Sequence, residues 1–333
     1  PSDSEDNASE SAADLRGRII KLSTSKASRT KSRVRLSECE LAEQLGGRCL
    51  SEGLVVIEQS LQFGVNHGQA RIGEGLEQSL AFFGYKDGAV AFMDTETTGL
   101  AGGTGTVVFL LGLGKVEGNT LRVSQYLLTG FIGEPALPTH AQALMHDVTS
   151  FVTYNGKSFD HPLLMTRYRL AGLVDPFAQC FHIDLVHPTR RAFRKHWPDC
   201  SLRTTEERLL DLIRVDDLPG SEAPQTWFDW IREGRTTNLP RVIEHNCTDI
   251  LSLAALLPTL RCSYENPIPG DSDLRGIARH HERENGEAAA YEYLFTNRAR
   301  LDESAAMELA RLARRRGDWR LAVAMWQELA MHD

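Results

Sequence analysis

The sequence has no run of about 18 or more apolar residues, so no transmembrane helix and no membrane partner are expected. It has no apolar leader. The first dozen residues are Ser-rich and acidic, so no signal peptide is expected, although the chain starts at Pro1 rather than Met and a leader could have been trimmed. Paired cysteines are lacking as well. Cys39, Cys49, Cys180, Cys200, Cys247 and Cys262 are scattered with no CxxC, which argues against a zinc site and a disulfide framework and for a reducing, cytoplasmic setting. A basic excess is also missing. The net charge of -8 speaks against tight non-specific nucleic-acid binding. It does not exclude a nuclease, because a carboxylate-rich metal site itself adds negative charge. What is present, 333 residues with 41% hydrophobic and 25% charged, fits a globular protein of about two domains.

Residues 1–35 are rich in Ser, Asp and Glu and then in scattered Lys and Arg, and read as a disordered tail. Residues 36–88 read as a β-containing extension. A short helix is expected from Cys39 to Leu45, and strands at Leu54 to Ile57 and Leu80 to Phe83. From Ala89 the pattern predicts three antiparallel strands, the second and third joined at Glu117-Gly118-Asn119. Two β-α units follow, with helices over Glu134 to Asp147 and His161 to Leu173, a fourth strand at Ser150 to Tyr154 and a fifth at Cys180 to Val186, and after Val186 the chain is helical to Leu260. The fold class is therefore α/β over residues 89–262, a mixed sheet flanked by helices. Residues 263–333 are all-α. There the phrase around Gly286 recurs around Gly317, close to the ~34-residue tetratricopeptide period, with a plain helical hairpin as the alternative.

Asp94 and Glu96 end the first strand, and their i, i+2 spacing puts both side chains on one face. Two adjacent carboxylates repel unless a divalent cation lies between them, and a solvated acidic turn is the plain alternative. Asp160 follows the fourth strand where a helix should start, so it either caps that helix or faces a site at the strand's carboxyl end. His245 and Asp249 lie one helical turn apart, as a metal ligand with a neighbouring base or as a surface pair. Arg190, Arg191, Arg194 and Lys195 cluster beside Trp197, suited to backbone tracking and base stacking or to a solvated helix face.

Taken together, Asp94-x-Glu96, then Asp160 in Asn155-Gly156-Lys157-Ser158-Phe159-Asp160, then His245-Asn246-x-x-Asp249, resemble the DEDD (DnaQ-like) 3′-5′ exonuclease superfamily with its ribonuclease-H-like fold. Gly103-Thr104-Gly105-Thr106 and the run from His245 to Leu253 are similar to its bacterial YprB-like branch, whose members can carry tetratricopeptide-like tails. The third motif departs from the usual pattern. His245 and Asp249 have the tyrosine-type spacing with histidine in it.

The resemblance implies phosphodiester hydrolysis with two divalent ions, Mg²⁺ or Mn²⁺. Asp94, Glu96, Asp160 and Asp249 are the implied ligands and His245 the implied general base. Thr97, Thr98, Gly99 and Leu100 would hold a terminal nucleotide. Asn155, Lys157, Arg190, Arg191 and Arg194 would contact nucleic acid, and the helical tail could dock a protein partner. The alternatives are an endonuclease or structure-specific ribonuclease on the same site, or an inactive nucleic-acid-binding scaffold. A P-loop is excluded because Phe151 stands where Gly156-Lys157-Ser158 would need its first glycine. Gly102-Gly103-Thr104-Gly105 lacks the spacing of a dinucleotide fingerprint.

Overall fold

A computed structural model describes residues 35–85, 88–99 and 104–331. The expected disordered tail lies outside these residues except for Arg35, whose guanidinium sits over the Trp230 ring at 5.1 Å. The chain runs through α1 (Glu38–Gln44), β1 (Gly47–Ser51), β2 (Leu54–Gln62), the two-residue strands β3 (Asn66–His67) and β4 (Ala70–Arg71), and α2 (Leu76–Phe82). Next come β5 (Ala89–Thr97), β6 (Val108–Glu117), β7 (Thr120–Leu128), α3 (Ala136–Met145), β8 (Val148–Thr153), α4 (Asp160–Leu170) and β9 (Phe181–Asp184). The rest is helical: α5 (Val186–Phe193), α6 (Leu202–Leu209), α7 (Ala223–Glu233), α8 (Leu239–Glu265), α9 (Leu274–Asn285), α10 (Glu287–Thr296), α11 (Glu303–Arg315) and α12 (Trp319–Ala330).

Seven strands form one mixed sheet in the order β1-β2-β7-β6-β5-β8-β9. The β1, β2, β7, β6 and β5 strands pair antiparallel, whereas β5, β8 and β9 are parallel. The turn between β6 and β7 is Gly118-Asn119, closed by Glu117 opposite Thr120, and Gly118 supplies its positive φ of 59°. Parallel β5 and β8 end on the same side of the sheet, where β-α connections leave a crevice. One face of the sheet packs on α3, α4 and α7 through Phe109, Phe151, Tyr168 and Trp227. The other packs on α2, α5 and α8 through Phe92, Phe193, Leu256 and Tyr264.

One expectation is corrected. Leu80 to Phe83 is not a strand but the end of helix α2, because Leu76 and Leu80 are buried one helical turn apart in the core that includes α8. All six cysteines are free, as expected, with the Sγ atoms of Cys39 and Cys49 lying 2.8 Å apart.

The C-terminal region folds as two helical hairpins. Gly286 (φ 85°) turns α9 into α10, and Gly317 (φ 81°) turns α11 into α12. Each of α9, α11 and α12 starts with an aspartate (Asp273, Asp302, Asp318) whose side chain accepts a backbone N–H of the first turn. Lys195, just past α5, forms an ion pair with Asp302 and so fastens this region to the sheet domain. Among the described residues no helix is long and apolar enough to cross a membrane.

Candidate active site

The carboxyl end of β5 carries the first two acidic residues. Asp94 lies opposite Gly112 of β6, and Gly112 lies opposite Gln125 of β7, so the three stand in one row across the sheet. Helix α8 crosses this row. Asn246, fully buried on α8, donates from Nδ2 to Asp94 Oδ2 at 2.8 Å, and Gln125 Nε2 donates to Asn246 Oδ1 at 2.9 Å and to the Ile243 carbonyl at 2.8 Å. Close approach of helix and sheet depends on two glycines with the same facing. A Cβ on Gly112 would stand 2.3 Å from Asn246 Oδ1, and one on Gly114 would stand 2.5 Å from Ile250 Cγ2. Gly112→Ala is therefore expected to destabilise the fold by about 2–4 kcal/mol, read as a lower melting temperature. Gly99→Ala, where a Cβ meets nothing within 4 Å, should leave melting unchanged.

The same helix brings in the third motif. His245 Nε2 lies 3.9 Å from Glu96 Oε1 and 3.7 Å from Asp249 Oδ2. Asp160 is the first residue of α4, and its Oδ1 accepts a short hydrogen bond from Thr95 Oγ1. The N-cap role weighed for Asp160 falls to Phe159 instead, which makes no side-chain cap. Asp94, Glu96, Asp160, His245 and Asp249 thus converge from one strand end and two helices.

The charge of this cluster is compensated only in part, by Arg214 on Asp249. Burial, then the carboxylates of Asp249, Asp160 and Glu96, push the Asp94 carboxyl well above the usual range, against the Asn246 hydrogen bond. Burial, then Asp249 and Asp160, push Glu96 up to about 8. Burial raises Asp160 to about 6, against its bond from Thr95. Among the described residues no three His, Cys, Asp or Glu side chains are gathered as a ready-made ligand set. The carboxylates are instead turned onto Asn246, Thr95 and Arg214. Their chemistry nonetheless fits a hard divalent cation: all donors are oxygen, and the missing counter-charge is what such an ion supplies.

Three nearby residues escaped the sequence reading. Arg214 donates from Nη2 to Asp249 Oδ1 and makes a two-point contact with Glu206, Nε to Oε2 at 2.9 Å and Nη2 to Oε1 at 2.5 Å. Asp217 meets His245 Nδ1 with both oxygens, at 2.8 and 2.9 Å. Nothing periodic marks the loop that carries Arg214 and Asp217, so no local pattern announces them.

The expected substrate contacts fare differently. Thr97 Oγ1 donates to the Gly99 carbonyl at 3.0 Å, and Thr98 Oγ1 accepts from Val107 N at 2.9 Å, so both hydroxyls brace the turn after β5. Leu100 lies outside the described residues. The backbone N–H groups of Asn155 and Lys157 both donate to the buried Asp184 carboxylate, at 2.6 and 3.0 Å, with Asn155 in the left-handed region at φ 66°. The Lys157 and Arg191 side chains line one cleft with His182, His187 and Arg283. Arg190 and Arg194 are exposed, whereas Lys195 is engaged by Asp302. Trp197 offers no stacking platform. It is buried and stacked on Phe193, ring centroids 4.1 Å apart and ring planes nearly parallel.

A mixed sheet with acidic residues at the carboxyl ends of its central strands defines an α/β protein of ribonuclease-H-like architecture. The family comparison agrees: residues 91–261 match the RNase H superfamily model RNase_H_2, and the chain belongs to that superfamily. It is 33% identical over 263 residues to the uncharacterized protein YprB of Bacillus subtilis, covering 77% of this chain and 63% of that relative's length. Among solved structures it is similar to the family B DNA polymerase of Pyrobaculum calidifontis, at 13% identity and a TM-score of 0.44 over 78% of this chain and 34% of that one. It is also similar to E. coli exonuclease I in complex with a dA16 oligonucleotide, at 14% identity and a TM-score of 0.33 over 66% and 45%.

Proposed function

We propose that this protein is a metal-dependent nuclease of the DEDD type and the YprB-like branch. In this reading it removes nucleotides from 3′ ends, with single-stranded DNA or a 3′ overhang as the first substrate to try. The observation that carries the reading is the convergence of Asp94, Glu96, Asp160 and Asp249 with His245 in one charge-deficient site. Membership of the RNase H superfamily supports it.

Asp94, Glu96, Asp160 and Asp249 would hold two divalent ions, Mg²⁺ or Mn²⁺. When bound, such ions neutralise the phosphate and stabilise the attacking and leaving oxygens. His245 presents Nε2 to the space between Glu96 and Asp249, where it can take the proton of an attacking water. Asn246 and Thr95 hold Asp94 and Asp160 in place. Lys157 and Arg191, in their shared cleft, would meet the strand's phosphates.

The proposed division of the chain is a tail over 1–35, a β-containing extension over 36–88 that completes the sheet with β1 and β2, the nuclease domain over 89–262, and a tetratricopeptide-like region over 263–333 that docks a protein partner. The test of polarity uses linear and covalently closed circular single-stranded DNA with Mn²⁺. The reading expects mononucleotides released from linear DNA only, starting at the 3′ end. Nicking of the circle would establish the endonuclease alternative, and intact DNA of both forms the scaffold alternative.

A further inference from the structure

Between α6 and α7 the chain makes a loop that faces the third motif. Leu210 and Leu218 are buried near its two ends. Asp211 and Asp216 adopt left-handed backbone, at φ 51° and 56°, and Arg241 Nη2 donates to the Asp216 carbonyl at 2.6 Å. This loop therefore has a fixed course, and two of its side chains reach residues that the nuclease reading needs.

Asp217 is the first. Burial opposes its ionisation, but His245 and Arg214 outweigh burial and hold its carboxyl below the ordinary range. An ionised carboxylate only accepts, so Nδ1 of His245 carries the proton that it donates to Asp217 at 2.8 and 2.9 Å, and Arg214 Nη1, a donor 3.4 Å from the same ring nitrogen, gives its hydrogen to Asp217 Oδ2 at 3.3 Å instead. Nε2 is then the nitrogen left to face Glu96 and Asp249, and it holds the lone pair whenever the ring is uncharged. Arg214 is the second. Its guanidinium is engaged on one side by the fully buried Glu206 and on another by Asp249. A buried ion pair of this kind is a poor source of stability and a good source of geometry.

We propose that Asp217 and Arg214 are positioning residues for the third motif: Asp217 fixes the His245 imidazole with Nε2 toward the carboxylates, and Arg214, anchored by Glu206, fixes the Asp249 carboxylate. The proposal rests on the nuclease reading for its consequence but not for its geometry, and the two are tested separately. Nitrogen-15 spectra of the folded protein at alkaline pH should show His245 as the Nδ1–H tautomer, and Asp217→Asn should shift it toward Nε2–H. That readout holds even for a protein that cleaves nothing, an outcome that would remove the nuclease reading alone. An Nε2–H tautomer in the unsubstituted protein overturns the proposal.

For the consequence, Asp217→Asn should lower kcat on single-stranded DNA by roughly 10²-fold with KM within about threefold. In a His245→Ala background the same substitution should subtract nothing further, because its effect passes through the imidazole. An equal loss in both backgrounds would mean a merely structural role and would overturn the proposal, as would full activity of Asp217→Asn. Arg214→Met alone leaves Glu206 buried without a partner and could unfold the protein, so it is paired with Glu206→Met. That double variant should melt no lower than the parent yet lose about tenfold or more in kcat. Full kcat in it would overturn the Arg214 half.

Discussion

Asp94→Ala is expected to abolish cleavage of nucleic acid, by about 10³-fold or more and even with excess Mn²⁺. The size follows from its place. Asp94 stands at the β5 end of the row across β5, β6 and β7, held by the buried Asn246, and it interacts with all three other acidic residues of the cluster. Removing it would take from the cluster the carboxylate that its neighbours surround. Loss of folding is a separate outcome and is separable. Asp94→Asn keeps the shape and an acceptor for Asn246 while deleting the charge, so the metal-free variant should melt no lower than the parent and still be inactive. An Asp94→Asn protein that retains activity would remove Asp94 from the chemistry.

The second large effect is a dependence of stability on pH and metal. In the folded protein Glu96 titrates at about 8, against an ordinary 4.5, and Asp160 at about 6, against 3.8. The folded state therefore keeps protons that the unfolded chain releases. The associated stability is fully present below the unfolded values, near pH 4, and is lost as pH rises through the folded ones, near pH 8. With EDTA the melting temperature should fall by roughly 5 °C or more between about pH 5 and pH 8. Excess Mn²⁺ should flatten or reverse that fall, because an ion in the cluster favours the ionised carboxylates and binds only the folded state. Melting curves with EDTA that are flat over this window and unmoved by Mn²⁺ would contradict the charge-deficient cluster.

Much of this arrangement is legible in the sequence because it is local. The alternation of β5 puts Asp94 and Glu96 on one face, and the helical spacing of His245 and Asp249 puts them on one face of α8. The position of Asp160 after β8 places it at the correct end of the sheet. What is illegible depends on distant packing. Leu80 has the composition of a strand residue, and only the surface of α8 makes its segment a helix. Trp197 beside four basic residues has the composition of a stacking platform, but Phe193 claims it four residues away. Arg214 and Asp217 sit in an irregular loop, where no period links them to His245 and Asp249. One signal was available. Gly112 and Gly114 alternate within an otherwise bulky strand, and such spacing marks a surface against which another element packs closely.

In the proposed reading this protein hydrolyses phosphodiester bonds only with a divalent ion in the carboxylate cluster. The direct measurement is digestion of end-labelled single- and double-stranded DNA and RNA in Mg²⁺, Mn²⁺ or EDTA, with Asp94→Asn in parallel. Labelled products that appear with Mg²⁺ or Mn²⁺ and vanish with EDTA and with Asp94→Asn are the expected result. Intact substrates of all four kinds with either metal, or cleavage that persists in EDTA, would contradict it.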